Sequence, residues 1–310
     1  MGTNSFHMVI VQQRDDGTLK LIDREKEVIR LGSQEGNELN FISSEETVNA
    51  IRILRDFKRF ADFYNAEFKA VATSAVREAA NSREFVESIR KNTGIEIEVI
   101  DGIEEARLIY LGVQKALKLS SDEKILSVDI GGGSTEILLA KGNNIIFSDS
   151  IRIGAVRLSK KFFPSYILDE QSIINCRDFI EQQILLSERI DFNMEFDRVV
   201  GTSGTIQSLA GLITAHYKRK LPKKLNRFEV LKSDFDKILN KILAHRTFEE
   251  RLKIPGIEPK RADILPAGLL ILDTIFRLFN FRRLYISEYA LREGIIVEMI
   301  QRLEDSGVVK

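Results

Sequence analysis

The chain is poor in cysteine and histidine and carries no surplus of either charge, and each scarcity removes a class of function. Its one cysteine, Cys176, cannot close an intramolecular disulfide. Cys176 falls in a helical stripe with Ile173, Ile174, Phe179 and Ile180, which reads as a small core residue rather than a nucleophile. His7, His216 and His245 show neither metal-ligand spacing nor a Ser or Cys partner pattern, so histidine catalysis has no case, and the alternation around His7 makes it a strand-face residue. Lys plus Arg and Asp plus Glu both number 46, so no global basic field exists to hold a nucleic acid, and any anion site must be local. With no charged-then-apolar leader and no run of about 18 apolar residues, no membrane partner is expected and the cytoplasm is the expected compartment.

What is present suggests two domains, because 310 residues exceed what one core usually organises. The first part alternates strand and helix: strand over Phe6 to Val11, helix over Thr47 to Tyr64, strand over Ala70 to Ala75, strand over Ile95 to Ile100. After Asp101 and Gly102 a helix carries Ile103, Ala106, Ile109, Tyr110 and Val113 on one face, and the polar stretch Lys118 to Lys124 reads as a linker. A buried-type strand, Ile125 to Ile130, then meets a glycine run, followed by a strand Glu136 to Ala140, a turn Lys141 to Asn144 and a strand Ile145 to Phe147. The remainder reads as mostly helical. Ser233 is the expected cap of a helix through Phe235, Ile238 and Ile242, and Thr247 with Glu250 has capping-box spacing. A last helix places Leu291, Ile295, Met299 and Leu303 on one stripe. An internal repeat sets Gly2, Thr3, Asn4 and Ser5 before an apolar strand, as Gly131, Gly132, Gly133 and Ser134 stand before another.

The chemistry concentrates in VDIGGGSTE, Val128 to Glu136: glycines let N–H groups converge on phosphate oxygens, while Asp129 and Glu136 suit a hard cation such as Mg²⁺. GTSGT, Gly201 to Thr205, follows a strand over Asp197 to Val200 and opens a helix, a position attractive to an anion and equally readable as capping by Thr202 or Ser203. Arg77, in ATSAVREA, has a fork that suits phosphate and otherwise reads as solvated. Glu104 and Glu105 open a helix; adjacent residues project about 100° apart, so one of them can aim at a site, or both can serve the helix dipole. Lys218, Arg219, Lys220, Lys223, Lys224 and Arg227 form a basic loop, solvated or a track for a polyanion.

Taken together, GTNSFHMVI, ATSAVREAAN, GIEEARLIYLGV, VDIGGGSTE, GTSGTI and SEYALREG, in order from Gly2 to Gly294, resemble the exopolyphosphatase and guanosine pentaphosphate phosphatase (Ppx/GppA) family in its short form. The resemblance implies an α/β fold class: two ribonuclease-H-like domains of the actin-like, sugar-kinase superfamily with the active site in the interdomain cleft. Residues 1–118 would form the first domain and 119–294 the second with helical additions, a helix over 295–310 packing back on the first. It implies Glu105 as general base and Mg²⁺, or Mn²⁺ in its place, near Asp129 and Glu136. Asn4, Ser5, Arg77, Gly131, Gly132, Gly133, Ser134, Ser203, Gly204 and Thr205 would then hold phosphate. The expected substrate is inorganic polyphosphate, with guanosine pentaphosphate as the alternative, and a homodimer is a family expectation. The family's first strand and a metal-associated Asp precede the glycine of the first block, so either the start of the protein lies upstream of Met1, the favoured expectation, or the protein lacks part of its first phosphate site. Longer members carry a C-terminal helical region for which this chain has no room. A non-catalytic phosphate sensor and an actin-like ATPase or kinase are the remaining alternatives, the latter disfavoured by Glu105 together with Arg77.

Overall fold

The computed structural model describes residues 1–14, 19–32 and 41–305. The chain divides into two compact units, Met1–Asp101 and Gly102–Lys310.

The first unit runs β1 (Ser5–Gln13), β2 (Leu19–Val28), α1 (Ser44–Phe63), β3 (Ala70–Ala72), α2 (Ser74–Glu78), α3 (Ser82–Thr93) and β4 (Ile97–Val99). Phe6, Met8 and Ile10 alternate inward along β1, the period-two pattern of a half-buried strand. They share a core with Ala50, Ile53, Leu54 and Phe57 of α1 and with Phe85 and Ile89 of α3. Ser43 starts α1 through a capping box with Glu46, and Gly94, at φ 70°, ends α3. The strand expected over Ala70 to Ala75 stops at Ala72, because the Thr73 carbonyl takes the N–H groups of Val76 and Arg77 and the chain turns into α2.

The second unit runs α4 (Gly102–Leu117), β5 (Lys124–Ile130), β6 (Thr135–Lys141), β7 (Asn144–Ile151), α5 (Ala155–Phe162), α6 (Glu170–Leu185), β8 (Arg198–Thr202) and α7 (Ser203–His216). It continues with β9 (Glu229–Leu231), α8 (Lys232–Ala244), α9 (Phe248–Leu252), a 3₁₀ turn at Pro259–Arg261, α10 (Leu265–Leu278), β10 (Arg283–Ile286) and α11 (Leu291–Asp305). One sheet holds the strands in the order β7-β6-β5-β8-β10-β9, with β5, β8 and β10 parallel and the others antiparallel to their neighbours. Central strand β5 is covered on both faces, which explains its continuous apolar run. Leu126, Val128 and Ile130 face the large core with α7 and the nearly all-apolar α10, while Ile125 faces α4 together with Leu138, Ala140 and Val200.

The break between the units falls at Asp101/Gly102, ahead of the polar stretch from Lys118, which is a turn between α4 and β5. Helix α4 clusters with the second unit because it lies on β6 and β7 and against α11. The last helix packs on α4, within the second unit: the Gly112 backbone meets the Ala290 carbonyl and the Gly294 backbone meets the Leu108 carbonyl, approaches a side chain at either glycine would block. Of the helix expected over 295–310, residues 306–310 lie outside the described ones. Ser233 is not a cap; α8 starts at Lys232 after Leu231, straight off β9, without a side-chain cap bond. Thr247 and Glu250 do form a capping box.

The repeat read from the sequence is a structural repeat. Gly2 N–H donates to the Ser5 carbonyl at 3.2 Å and Gly131 N–H to the Ser134 carbonyl at 2.9 Å. Each turn feeds the first strand of an antiparallel hairpin, and each hairpin shifts register at the same step, Ile10/Val11 in one and Leu139/Ala140 in the other. The copies differ in the middle of the sheet. In the second unit β5 joins β6 to β8, whereas among the described residues of the first unit the pairs β1-β2 and β3-β4 form separate sheets. Met1 reaches the β3 segment, its amino group donating to the Val71 carbonyl at 2.6 Å and its carbonyl accepting from Thr73 N–H at 3.2 Å.

Candidate active site

The strand registers of the second unit build a polar row across its sheet. Ser150 of β7 pairs with Glu136 of β6, Glu136 with Asp129 of β5, and Asp129 with Thr202 of β8. Because side chains alternate along a strand, Glu136 shares the face of Leu138 and Ala140, and Asp129 that of Ile125, which is the face covered by α4. Glu105, in the first turn of α4, is buried over this row. The interior thus receives three carboxylates from three elements: Glu105, Asp129 and Glu136 are 7%, 8% and 3% exposed.

Their electrostatics show how close they are. Burial, and then the Glu105 charge, push Asp129 up to about 7. Burial, followed by the charges of Glu105 and Asp129, holds Glu136 well above the carboxylate range, although the hydroxyls of Ser134 and Ser150 bond it. Directly paired like charges in a dry sheet are destabilising unless a proton or a cation intervenes. Among the described residues no group of three or more His, Cys, Asp or Glu is arranged as a cage for a metal ion. The two paired carboxylates still fit Mg²⁺, which keeps several waters and completes its shell with substrate phosphates rather than with a protein cage.

Adjacent glutamates are sorted by their neighbours. Glu104 is held by Arg107 through two bonds of 2.7 Å, and Arg107 also pairs with Glu298 of α11. Glu105 is thereby the one of the pair directed at Asp129 and Glu136.

Beside the carboxylates, the glycine loop presents open donors. The carbonyls of Gly131, Gly132 and Gly133 are all occupied: Ala155 N–H bonds the first at 2.9 Å, Val156 and Arg157 N–H groups bond the second at 2.9 and 3.0 Å, and the Arg157 side chain bonds the third at 2.8 Å. Among the described residues the N–H groups of Gly132 and Gly133 donate to no backbone acceptor. With carbonyls turned away and N–H groups free, the loop has the polarity of an anion cradle. Ser134 bonds Glu136, so its hydroxyl serves the carboxylate.

The second loop is placed next to this row, since Thr202 ends β8 and Ser203 starts α7. Ser203 has φ 80°, a left-handed conformation costly outside glycine and frequent at functional sites. Its buried Oγ has no hydrogen-bond partner among the described residues. Thr202 makes no cap bond and donates instead to the Tyr289 carbonyl at 3.2 Å, so side-chain capping does not occupy this helix start. The Arg261 guanidinium lies directly on Gly204, with Glu258 at 3.1 Å from its Nε, and Thr205 packs inward on Gly268.

In the first unit, Asn4 accepts the N–H groups of Ile29 and Arg30 at its carbonyl, and its buried Oδ1 has no partner among the described residues. Ser5 shares a 2.8 Å hydrogen bond with His7 Nε2 on β1, and Arg77 donates to the Ile100 carbonyl at 3.0 Å. Cys176 is fully buried in α6, and burial pushes its thiol up to about 12.

Reading the sequence by itself misses Ser150, Arg157 and Arg261. Ser150 sits beyond the end of the expected strand Ile145 to Phe147; only the register of the β6-β7 hairpin reveals it. Arg157 and Arg261 reach the glycine loop and Gly204 from elements with no motif of their own.

The chain is similar to known proteins over nearly its whole length. A guanosine-5'-triphosphate,3'-diphosphate pyrophosphatase of Vibrio parahaemolyticus is 30% identical over 99% of this chain, which spans 60% of that longer protein. The crystal structure of an exopolyphosphatase from Cytophaga hutchinsonii superposes with a TM-score of 0.86 at 28% identity, covering 97% of this chain and 96% of that one. The Aquifex aeolicus member of the Ppx/GppA family gives 0.80 at 28% identity, with 97% and 96% covered. The model of the Ppx/GppA phosphatase family matches residues 9–303, and by this match and the shared α/β fold the chain belongs to that family.

Proposed function

We propose that the protein hydrolyses the terminal phosphate from inorganic polyphosphate with the help of a divalent cation, Mg²⁺ or Mn²⁺. The observation that carries this reading is the convergence of Glu105 on the paired Asp129 and Glu136 beside a glycine loop with free N–H groups. Glu105 accepts a proton from a water whose oxygen bonds the terminal phosphorus in line, the bridging P–O bond breaks with its electron pair going to the shortened polyphosphate as leaving group, and the terminal phosphate is freed as orthophosphate. Gly132 and Gly133 N–H groups hold oxygens of the terminal phosphoryl group, and Ser203, Gly204 and the Arg261 guanidinium receive the next part of the chain. Asn4, Ser5 and Arg77 are the phosphate ligands that we assign to the first unit. Asp129 and Glu136 would hold the cation, which when bound offsets charge on the phosphoryl oxygens. A glutamate is a weak base at its ordinary pKa, but positioning and charge stabilisation supply most of the acceleration of phosphoryl transfer.

Polyphosphate is favoured because the Cytophaga exopolyphosphatase matches this chain over nearly its whole length. The Vibrio relative supports guanosine pentaphosphate as a second reading, with the same carboxylates acting on the terminal 5'-phosphate. Phosphate release from polyphosphate and from guanosine pentaphosphate, measured side by side with and without Mg²⁺, tests both. Release from polyphosphate alone supports the first reading, release from the nucleotide alone supports the second, and metal-dependent release from neither overturns both.

A further inference from the structure

The strongest charge segregation in the molecule lies away from the carboxylates. Although the whole chain is neutral, no acidic residue occurs between Asp197 and Glu229, and within that stretch Lys218, Arg219, Lys220, Lys223, Lys224 and Arg227 follow one another on a single loop. All of them are exposed.

The loop is anchored at both ends. Lys218 turns it out of α7 in a left-handed conformation, φ 52°, with Arg219 N–H on the Thr214 carbonyl at 2.7 Å. At the far end Arg227, φ 69°, donates its backbone N–H to the Ile286 carbonyl and its guanidinium to the Leu117 carbonyl, the last residue of α4, at 2.6 Å. Lys115 and Lys118, also exposed, border the same end of α4. Among the described residues Lys218, Lys220, Lys223 and Lys224 meet no carboxylate. The nearby acids are engaged: Glu229 by Arg283, Asp234 by Lys237, and Glu288 by the Asn226 backbone. Cations in the last turn of α4 and α7 would serve the helix dipoles, but that effect fades within a turn. Lys220, Lys223 and Lys224 lie past the end of α7 at His216 and are not needed for it.

The position is as informative as the charge. Ser203 and the loop stand at opposite ends of α7, so about 20 Å separates them. We propose that this loop tethers long inorganic polyphosphate, engaging the body of a chain whose end lies at the phosphate loops. The proposal rests on the polyphosphate reading above. A chain of phosphates with one negative charge per unit complements a basic loop without acids, and its binding releases counterions, so it depends steeply on salt. Tripolyphosphate does not span the distance and gains nothing from the loop.

The test replaces Lys220, Lys223 and Lys224 by Glu in the full chain. Steady-state phosphate release is measured on long-chain polyphosphate and on tripolyphosphate, alongside binding of fluorescent long-chain polyphosphate at several salt concentrations. The expected result is a KM for the long substrate raised roughly tenfold or more with a shallower salt dependence of binding, while kcat and the kinetics on tripolyphosphate stay unchanged. An unchanged long-chain KM, or equal weakening for both lengths, overturns the tether. Equally tight, loop-dependent binding of single-stranded DNA at matched salt would also overturn it, making the loop a nucleic-acid site. If the unaltered protein releases no phosphate from any polyphosphate, the proposed activity fails, yet loss of long-chain binding in the variant still supports the tether.

Discussion

Ser150 donates its hydroxyl to Glu136 Oε1 at 2.7 Å, from the residue directly across the β6-β7 ladder. Gly102, where α4 begins, lies so close to Ser150 that a β-carbon there would overlap the serine Cβ and Oγ. One serine therefore orients a carboxylate proposed to bind the cation and also sets how near the helix bearing Glu105 comes. Ser150→Ala should lower the apparent Mg²⁺ affinity by about 10-fold or more, the usual effect of removing a group that orients a metal ligand, with unfolding temperature nearly unchanged. Titrating activity against Mg²⁺ checks this, and an unaltered titration curve would show that Glu136 needs no such support. Gly102→Ala should lower both activity and stability, because its side chain forces α4 off β7.

The two adjacent glutamates separate cleanly by experiment. Glu105→Ala should lose turnover by about 10²-fold or more while retaining substrate affinity. Glu104→Ala gives up a partly exposed ion pair with Arg107, and such pairs are worth at most about 1 kcal/mol. Its kcat should stay close to that of the unaltered protein. Comparable losses in the two variants would remove Glu105 from the role of base.

How far these residues were legible depends on what fixes them. VDIGGGSTE and its flanking strands can be read from residue order because a buried strand, a glycine turn and a second strand are local patterns. Ser150 cannot. Counting back from the Lys141 to Asn144 turn opposes Glu136 to Asp149, on the other face; the register shift at Leu139/Ala140 delivers Ser150 instead. Arg261 is hidden for another reason, since it reaches Gly204 from a turn far along the chain, through tertiary packing that carries no local signal. The start of α8 failed similarly: Ser233 resembles a cap, but β9 runs straight into the helix at Lys232. The glycine-loop repeat succeeded because the same short-range bond, Gly N–H to the Ser carbonyl three residues on, forms in both copies.

The buried carboxylates predict a coupling of stability, metal and pH. Asp129 is raised from 3.8 to about 7 and Glu136 is raised with it, so the metal-free fold retains protons that the unfolded chain releases. The stability these groups contribute is fully present below their unfolded pKa values near 4 and is lost as pH rises through about 7. A bound cation reverses the penalty, since it requires the ionised carboxylates and displaces their protons. The rise in melting temperature produced by Mg²⁺ should therefore be small at pH 5 and large at pH 8. It should vanish at both in the Asp129→Asn, Glu136→Gln double variant. A Mg²⁺ effect independent of pH would mean that the cation binds elsewhere.

The proposed base depends on a helix remote in sequence. Glu105 is carried by α4, and α4 is held by α11 through backbone contacts at Gly112 and Gly294 and through the pairing of Arg107 with Glu298. Gly294 touches the Leu108 carbonyl, so a larger side chain cannot be accommodated by a rotamer change; it must separate the helices. Gly294→Val should destabilise by about 1–3 kcal/mol, as overpacking of a tight interface does, and should reduce kcat more than KM because the displaced group is the proposed base rather than a proposed substrate ligand. Urea unfolding and steady-state kinetics on one preparation measure both. Glu298→Gln supplies the control: it removes the charge that pairs with Arg107 and Arg302 but no backbone contact, and should cost less stability than Gly294→Val. If Gly294→Val instead raises KM at constant kcat, α11 acts on substrate binding rather than on the position of Glu105.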